Sequence, residues 1–120
     1  MTSGWIGVDL DGTLAHYDKW QGPAHVGDPV PAMARRVYAW LDRGIPVRIL
    51  TARVWTDGST KRNAEMQFAH GIIAAWTKLH FGVVIPATCV KDPFMIEMWD
   101  DRAVTVKRND GEVIRADGFA

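Results

Sequence analysis

Four aspartates, a threonine and a lysine stand at the edges of short apolar runs. Asp9 and Asp11 follow Trp5–Val8, and Thr51 follows Ile45–Leu50. Lys91 precedes the run Met95–Trp99, and Asp100 and Asp101 end it. Carboxylates gathered at one rim repel one another and raise each other's pKa values unless a cation neutralises them. All-oxygen ligand sets select hard cations, and Mg²⁺ is the usual one in phosphate chemistry. An aspartate at a strand end can also simply cap the turn that follows, which explains one such position more easily than all four. The set points to metal-assisted chemistry on a phosphate group.

For these groups to meet, the apolar runs must be neighbouring strands. Trp5–Asp9 is short, apolar and bounded by polar turn residues, as a buried parallel strand requires. Leu14–Val30 contains Gly22, Pro23, Gly27 and Pro29 and reads as an irregular loop, long enough to suggest a functional role. Pro31–Arg43 reads as a helix, with Met33, Val37, Tyr38 and Leu41 at helical spacing, Pro31 in the first turn and Gly44 just beyond the end. Ile45–Leu50 reads as the second strand. Ser59 or Thr60 can cap a helix toward His70, and Gly71–His80 continues the pattern, as one bent helix or two. Val83–Ile85 and Met95–Trp99 are predicted as further strands. Val104–Arg108, Asn109-Asp110-Gly111 and Glu112–Arg115 read as a hairpin. Alternating strands and helices predict one α/β domain over residues 1–120, a three-layer Rossmann-like fold around a central, mainly parallel sheet. Ligands bind such sheets at the carboxyl ends of the strands, where the aspartates lie.

Composition narrows the setting. The 120 residues carry 14 basic and 14 acidic side chains, for a formal net charge of zero. No overall basic field draws the chain to nucleic acid, so nucleic acid enters only as a substrate. Cys89 is the single cysteine and cannot form an intrachain disulfide, which fits a reducing compartment. No apolar run before Asp9 is long enough for a signal peptide, and none approaches the roughly 20 residues of a membrane span. The expectation is a cytoplasmic protein with no membrane partner.

The segments Asp9-Leu10-Asp11-Gly12-Thr13-Leu14, Ile49-Leu50-Thr51-Ala52-Arg53, Lys91 and Asp100-Asp101 occur in the order and spacing of the four motifs of a known enzyme group. In this the chain resembles phosphatases of the haloacid dehalogenase (HAD) superfamily, over Trp5 to about Val106. The wording around Val47–Arg53 and Trp99–Ala103 is similar to small capless members from phages and prophages. The resemblance implies that Asp9 is the nucleophile and forms an aspartyl-phosphate. It implies that Asp11 is general acid and then general base, that Thr51 donates to a phosphoryl oxygen, and that Lys91 neutralises charge. It further implies Mg²⁺ held by the Asp9 carboxylate, the Asp11 carbonyl and the Asp100 carboxylate, with Asp101 behind them. Gly12, Thr13, Ala52 and Arg53 would border the phosphate. Arg53 has two open readings: contact with substrate, or an ion pair with an acid such as Asp57 or Asp101.

Trp5, Trp40, Trp76 and Trp99 fall in predicted elements and are expected in the core. Trp20 and Trp55 fall in loops, as loop packing or as a wall of the substrate site; Trp20 is carried as a substrate-binding candidate. His16, His25, His70 and His80 lack metal-ligand spacing; His16 and His25 could line the loop's mouth. Cys89 is expected as a buried thiol, and Arg35-Arg36 and Lys61-Arg62 as solvated helix faces. Arg48 and Glu97 are expected to pair across Ile6 if the three strand ends align.

Neither the Thr13–Thr51 nor the Arg53–Lys91 interval has room for a cap domain. The open site would suit a phosphorylated polymer end, or a small substrate enclosed by a second copy in a homo-oligomer. The leading reading is a phosphomonoesterase, with nucleotides or nucleic-acid ends as first substrates and sugar phosphates next. The alternatives are a catalytically weak module that binds metal or phosphoryl groups, and a phosphotransferase.

Overall fold

The computed structural model describes residues 4–114. Four parallel strands, β1 (Trp5–Val8), β2 (Val47–Leu50), β3 (Ala87–Thr88) and β4 (Met95–Trp99), form a sheet in the order β3-β2-β1-β4. Between β1 and β2 lie the long loop and helix α1 (Pro31–Asp42). A single 3₁₀ turn (Ala52–Val54) and helix α2 (Thr60–Phe81) connect β2 to β3. A separate antiparallel pair, β5 (Thr105–Val106) and β6 (Val113–Ile114), follows. It matches the expected hairpin as far as Ile114; Arg115 lies outside the described residues. None of the described helices is long and apolar enough to cross a membrane.

The period-2 rule accounts for the core. Ile6 is level with Val47 and Val8 with Ile49, so these four point to one face. There they join Met33 and Val37 of α1 and Ile73 and Trp76 of α2 in one buried cluster. The helices also touch each other: the Tyr38 ring lies 4.9 Å from that of Phe81, and its hydroxyl donates to the His80 carbonyl. Tyr38, one of the residues at helical spacing in α1, stays half exposed. The other face carries Trp5, whose ring lies across Gly7 so closely that a Cβ there would come within 3.1 Å of it. Trp5 and Trp76 are buried as expected, whereas Trp40 and Trp99 are partly buried and pack against each other with tilted rings, 5.4 Å between centroids.

Helix ends follow local chemistry. Pro31 opens α1 with no side-chain cap. Ser59 caps α2, accepting the Arg62 N–H at 3.1 Å, and Gly82 closes it with φ +77°. A Cβ at Gly71 would meet nothing within 4 Å, and α2 runs through this position unbroken.

Two expectations are corrected here. The third strand is Ala87–Thr88, not Val83–Ile85. The helix cap at Gly82 leaves Val83 and Val84 exposed, and the Ile85 N–H goes to the Thr77 hydroxyl at 3.1 Å, so pairing starts beyond Pro86. The Arg48–Glu97 pair does not form. Arg48 is level with Gly7 and Glu97 with Ile6, and a one-residue offset sends side chains to opposite faces. Arg48 instead bonds Asp92 at 3.2 Å and lies over the Trp5 ring at 4.5 Å, while Glu97 accepts from the Trp99 indole at 3.1 Å.

Candidate active site

The turn after β1 is shaped by its apolar residues. Leu10, Leu14 and Ala15 are fully buried, each leucine worth roughly 1.5–3 kcal/mol. The Leu14 and Ala15 N–H groups bond back to the Leu10 carbonyl at 3.1 and 2.8 Å. With the leucines inward, Asp9 and Asp11 are left at the carboxyl end of the sheet. Asp9 is one residue past the rung that joins Val8 to Trp99, and Asp100 follows Trp99 on the neighbouring strand. The chain pairing therefore sets these two carboxylates side by side.

Asp9, Asp100 and Asp101 each offer an oxygen, and the three lie within 4.8 Å of one another. Burial, followed by the charges of Asp100 and Asp101, pushes the Asp9 carboxyl up from 3.8 to about 7. Such a cluster has the oxygen chemistry that a hard divalent cation requires. Thr13, buried beneath it, fixes its geometry: its Oγ1 lies 3.1 Å from Asp101 Oδ1 and 3.4 Å from Asp9 Oδ2, and accepts the Asp101 N–H at 2.9 Å. Gly12 has φ +91°, and a Cβ there would sit 2.7 Å from Asp101 Oδ2. Gly12 and Thr13, both expected to border the phosphate, thus seat Asp101.

Asp11 faces another partner. Arg53 Nε and Nη2 donate to its two oxygens at 2.7 and 2.8 Å. The same guanidinium donates to the carbonyls of Pro23 and His25 at 3.3 and 2.8 Å and lies 4.8 Å from the Trp20 ring centre. Of the two readings of Arg53, the ion pair is present, but the acid is Asp11 and not Asp57 or Asp101. Asp57 instead accepts the Ser59 N–H at 2.9 Å, and Ser59 holds its carboxyl below the usual range.

A cavity of about 1130 Å³ opens over these groups, walled by Asp9, Asp11, Thr51, Ala52, Asp100 and Asp101. Thr51 is buried; its oxygen accepts the Arg53 N–H at 3.2 Å, which leaves its own hydrogen to donate. Trp20, Arg53, Tyr17, Trp55, Arg62 and Cys89 also line the cavity. Lys91 is exposed and is not among the lining residues, so the structure does not bring it to the aspartates.

Two of these lining residues depart from expectation, and a third carried none. Cys89 is exposed, not buried, because β3 ends at Thr88 and the chain leaves the sheet there. Arg62 is drawn out of the solvated helix face by Trp55: it donates to the Trp55 carbonyl and lies 5.3 Å from its ring centre. Tyr17 carried no signal, since nothing in the sequence of an irregular loop indicates which side chains turn inward. His16 and His25 line a second hollow of about 520 Å³ beside the loop, in keeping with their placement at its mouth.

No family model, no curated protein and no solved structure matches this chain.

Proposed function

We propose that this chain is a Mg²⁺-dependent phosphomonoesterase of the haloacid dehalogenase superfamily, acting through an aspartyl-phosphate on Asp9, with the superfamily's three-layer, capless core. The observation that carries the reading is the convergence of the Asp9, Asp100 and Asp101 oxygens within 4.8 Å at the carboxyl end of two adjacent parallel strands. The loop and α1 fill one interval between motifs, and the 3₁₀ turn, α2 and β3 fill the other, which supports the absence of a cap.

Asp9, Asp100 and the Asp11 carbonyl would hold Mg²⁺, with Asp101 alongside. Bound there, the cation neutralises the carboxylates and the phosphoryl charge. An Asp9 oxygen attacks phosphorus; its new O–P bond forms as the ester P–O bond breaks. The departing oxygen keeps the electron pair and takes the proton of Asp11, which must arrive protonated and released from Arg53. Water then gives a proton to Asp11 and attacks the same phosphorus. The Asp9–P bond breaks, and inorganic phosphate leaves. Thr51 donates to a phosphoryl oxygen throughout.

A second reading, a module that binds metal and phosphoryl groups without turnover, draws on the closed Asp11–Arg53 pair and the outlying Lys91. Hydrolysis of an aryl phosphate by wild type and Asp9→Asn, with Mg²⁺ and with chelator, separates the two. The phosphatase reading expects turnover only in wild type with Mg²⁺. Binding of vanadate or phosphate without turnover would favour the module.

A further inference from the structure

The walls of the cavity, beyond its acidic floor, carry information about what is attached to the phosphate. Trp20 and Trp55 reach it from separate segments, one from the long loop and one from the end of the 3₁₀ turn. Both stay about half exposed, at 55% and 51%. Tryptophan left open to water at a concave site is unfavourable for folding and suited to binding a flat apolar partner. Neither ring is loose: Arg53 lies 4.8 Å from the centre of Trp20, and Arg62 lies 5.3 Å from that of Trp55. Each guanidinium is itself held, Arg53 by Asp11 at 2.7 Å and Arg62 by Glu65 at 3.5 Å. The rings are therefore preset platforms, which lowers the entropic cost of stacking on them.

Away from the aspartates, the polar groups in the same walls are mostly cationic or hydroxyl: Arg53, Arg62, Arg102, Tyr17 and Thr51. Among the described residues, the only carboxylate or amide side chain lining the cavity apart from the aspartates is Glu65, and it is engaged with Arg62. Sugar hydroxyls would find few side-chain carboxylates or amides there. A heteroaromatic ring would find stacking surface on Trp20 and Trp55.

We propose that Trp20 and Trp55 form a nucleobase platform, so that the phosphate ester this site takes is that of a nucleoside, either free or at the end of a strand. The proposal rests on the phosphatase reading for the placement of the phosphate, not for the stacking. Stacking of one base on an aromatic side chain is worth roughly 5- to 150-fold in affinity.

The test is equilibrium binding to the Asp9→Asn protein with Mg²⁺, read by tryptophan fluorescence and calorimetry. The probes are adenosine 5′-monophosphate, ribose 5-phosphate and a short single-stranded oligonucleotide with a terminal phosphate. At least 10-fold tighter binding of the adenosine compound than of ribose 5-phosphate, with tryptophan quenching, is expected. Trp20→Ala and Trp55→Ala should each narrow that ratio, and the Phe replacements should restore part of it. A further gain of 10-fold or more for the oligonucleotide identifies a strand end; equal affinity identifies the free nucleotide. Ribose 5-phosphate binding as tightly as the adenosine compound, or no binding by any probe, overturns the proposal. The comparison of probes needs no tryptophan variant to fold. Aryl-phosphate hydrolysis by wild type reports separately on the phosphatase reading.

Discussion

At the scale of single residues, Asp9 and Asp11 show how one sequence motif yields two environments. Asp9 sits among carboxylates and titrates near 7, against 3.8 when unfolded. Between those pH values the folded state binds more protons, so this group's contribution to stability is complete below about pH 4 and lost as pH rises through 7. Thermal melts in chelator across that range should show the decline, and Asp9→Asn should flatten it while abolishing turnover. An unchanged profile in the variant would place the titration elsewhere. Asp11, by contrast, is fixed by the two-pronged Arg53 contact at 2.7 and 2.8 Å. Its side chain is 22% exposed and that of Arg53 only 8%, so the pair lies between the surface and buried extremes. Arg53→Ala should cost roughly 1–3 kcal/mol of stability. It should also loosen the loop, since the Pro23 and His25 carbonyls lose a donor. Denaturant titration of Arg53→Ala, Asp11→Asn and the double variant gives the coupling. Additive losses would mean that the pair contributes nothing beyond its separate parts.

At the scale of elements, the order and type of β1, α1, β2, α2 and β4 were legible because hydrophobic period and capping residues agree locally. Pro31, Gly44 and Ser59 mark their boundaries. Register was not legible. Val8 is level with both Ile49 and Trp99, so β2 and β4 do not start their polar ends at the same height, and Arg48 and Glu97 fall on opposite faces. No periodicity records such an offset, because it arises from pairing between distant segments. The acidic cluster was legible from its position after the strands, whereas the Arg53 partner and the Arg62 cavity contact depend on how loops close. Arg48's observed partner gives a sharp check. Asp92 accepts from the Trp5 indole and the Phe94 N–H, each at 2.8 Å, and from Arg48 at 3.2 Å. Trp5 is 2% exposed, so Asp92→Ala removes the acceptor of its indole N–H together with the Arg48 and Phe94 contacts and should lower stability measurably. Glu97→Ala, on the other face, should cost less than about 0.5 kcal/mol. Equal losses in chemical denaturation would contradict the register.

At the scale of the whole molecule, the site and the fold share one unfavourable charge arrangement. The Asp9, Asp100 and Asp101 oxygens crowd within 4.8 Å, held there by Thr13 and by pairing of β1 with β4. Folding therefore brings these charges together, and a divalent cation that binds only the folded chain offsets that cost by mass action. At 100 times its dissociation constant the gain is about 2.7 kcal/mol, or roughly 10 °C in melting temperature for a domain of this size. The gain should depend on pH. Below about pH 5, Asp9 is protonated in the folded state and a cation must displace that proton; near pH 8 it is already ionised and repelled by its neighbours. The Mg²⁺-induced rise in melting temperature should therefore grow from pH 5 to pH 8, and Asp100→Ala should remove most of it at every pH. A rise of the same size at both pH values, or one that survives in Asp100→Ala, would show that Mg²⁺ acts somewhere other than this cluster.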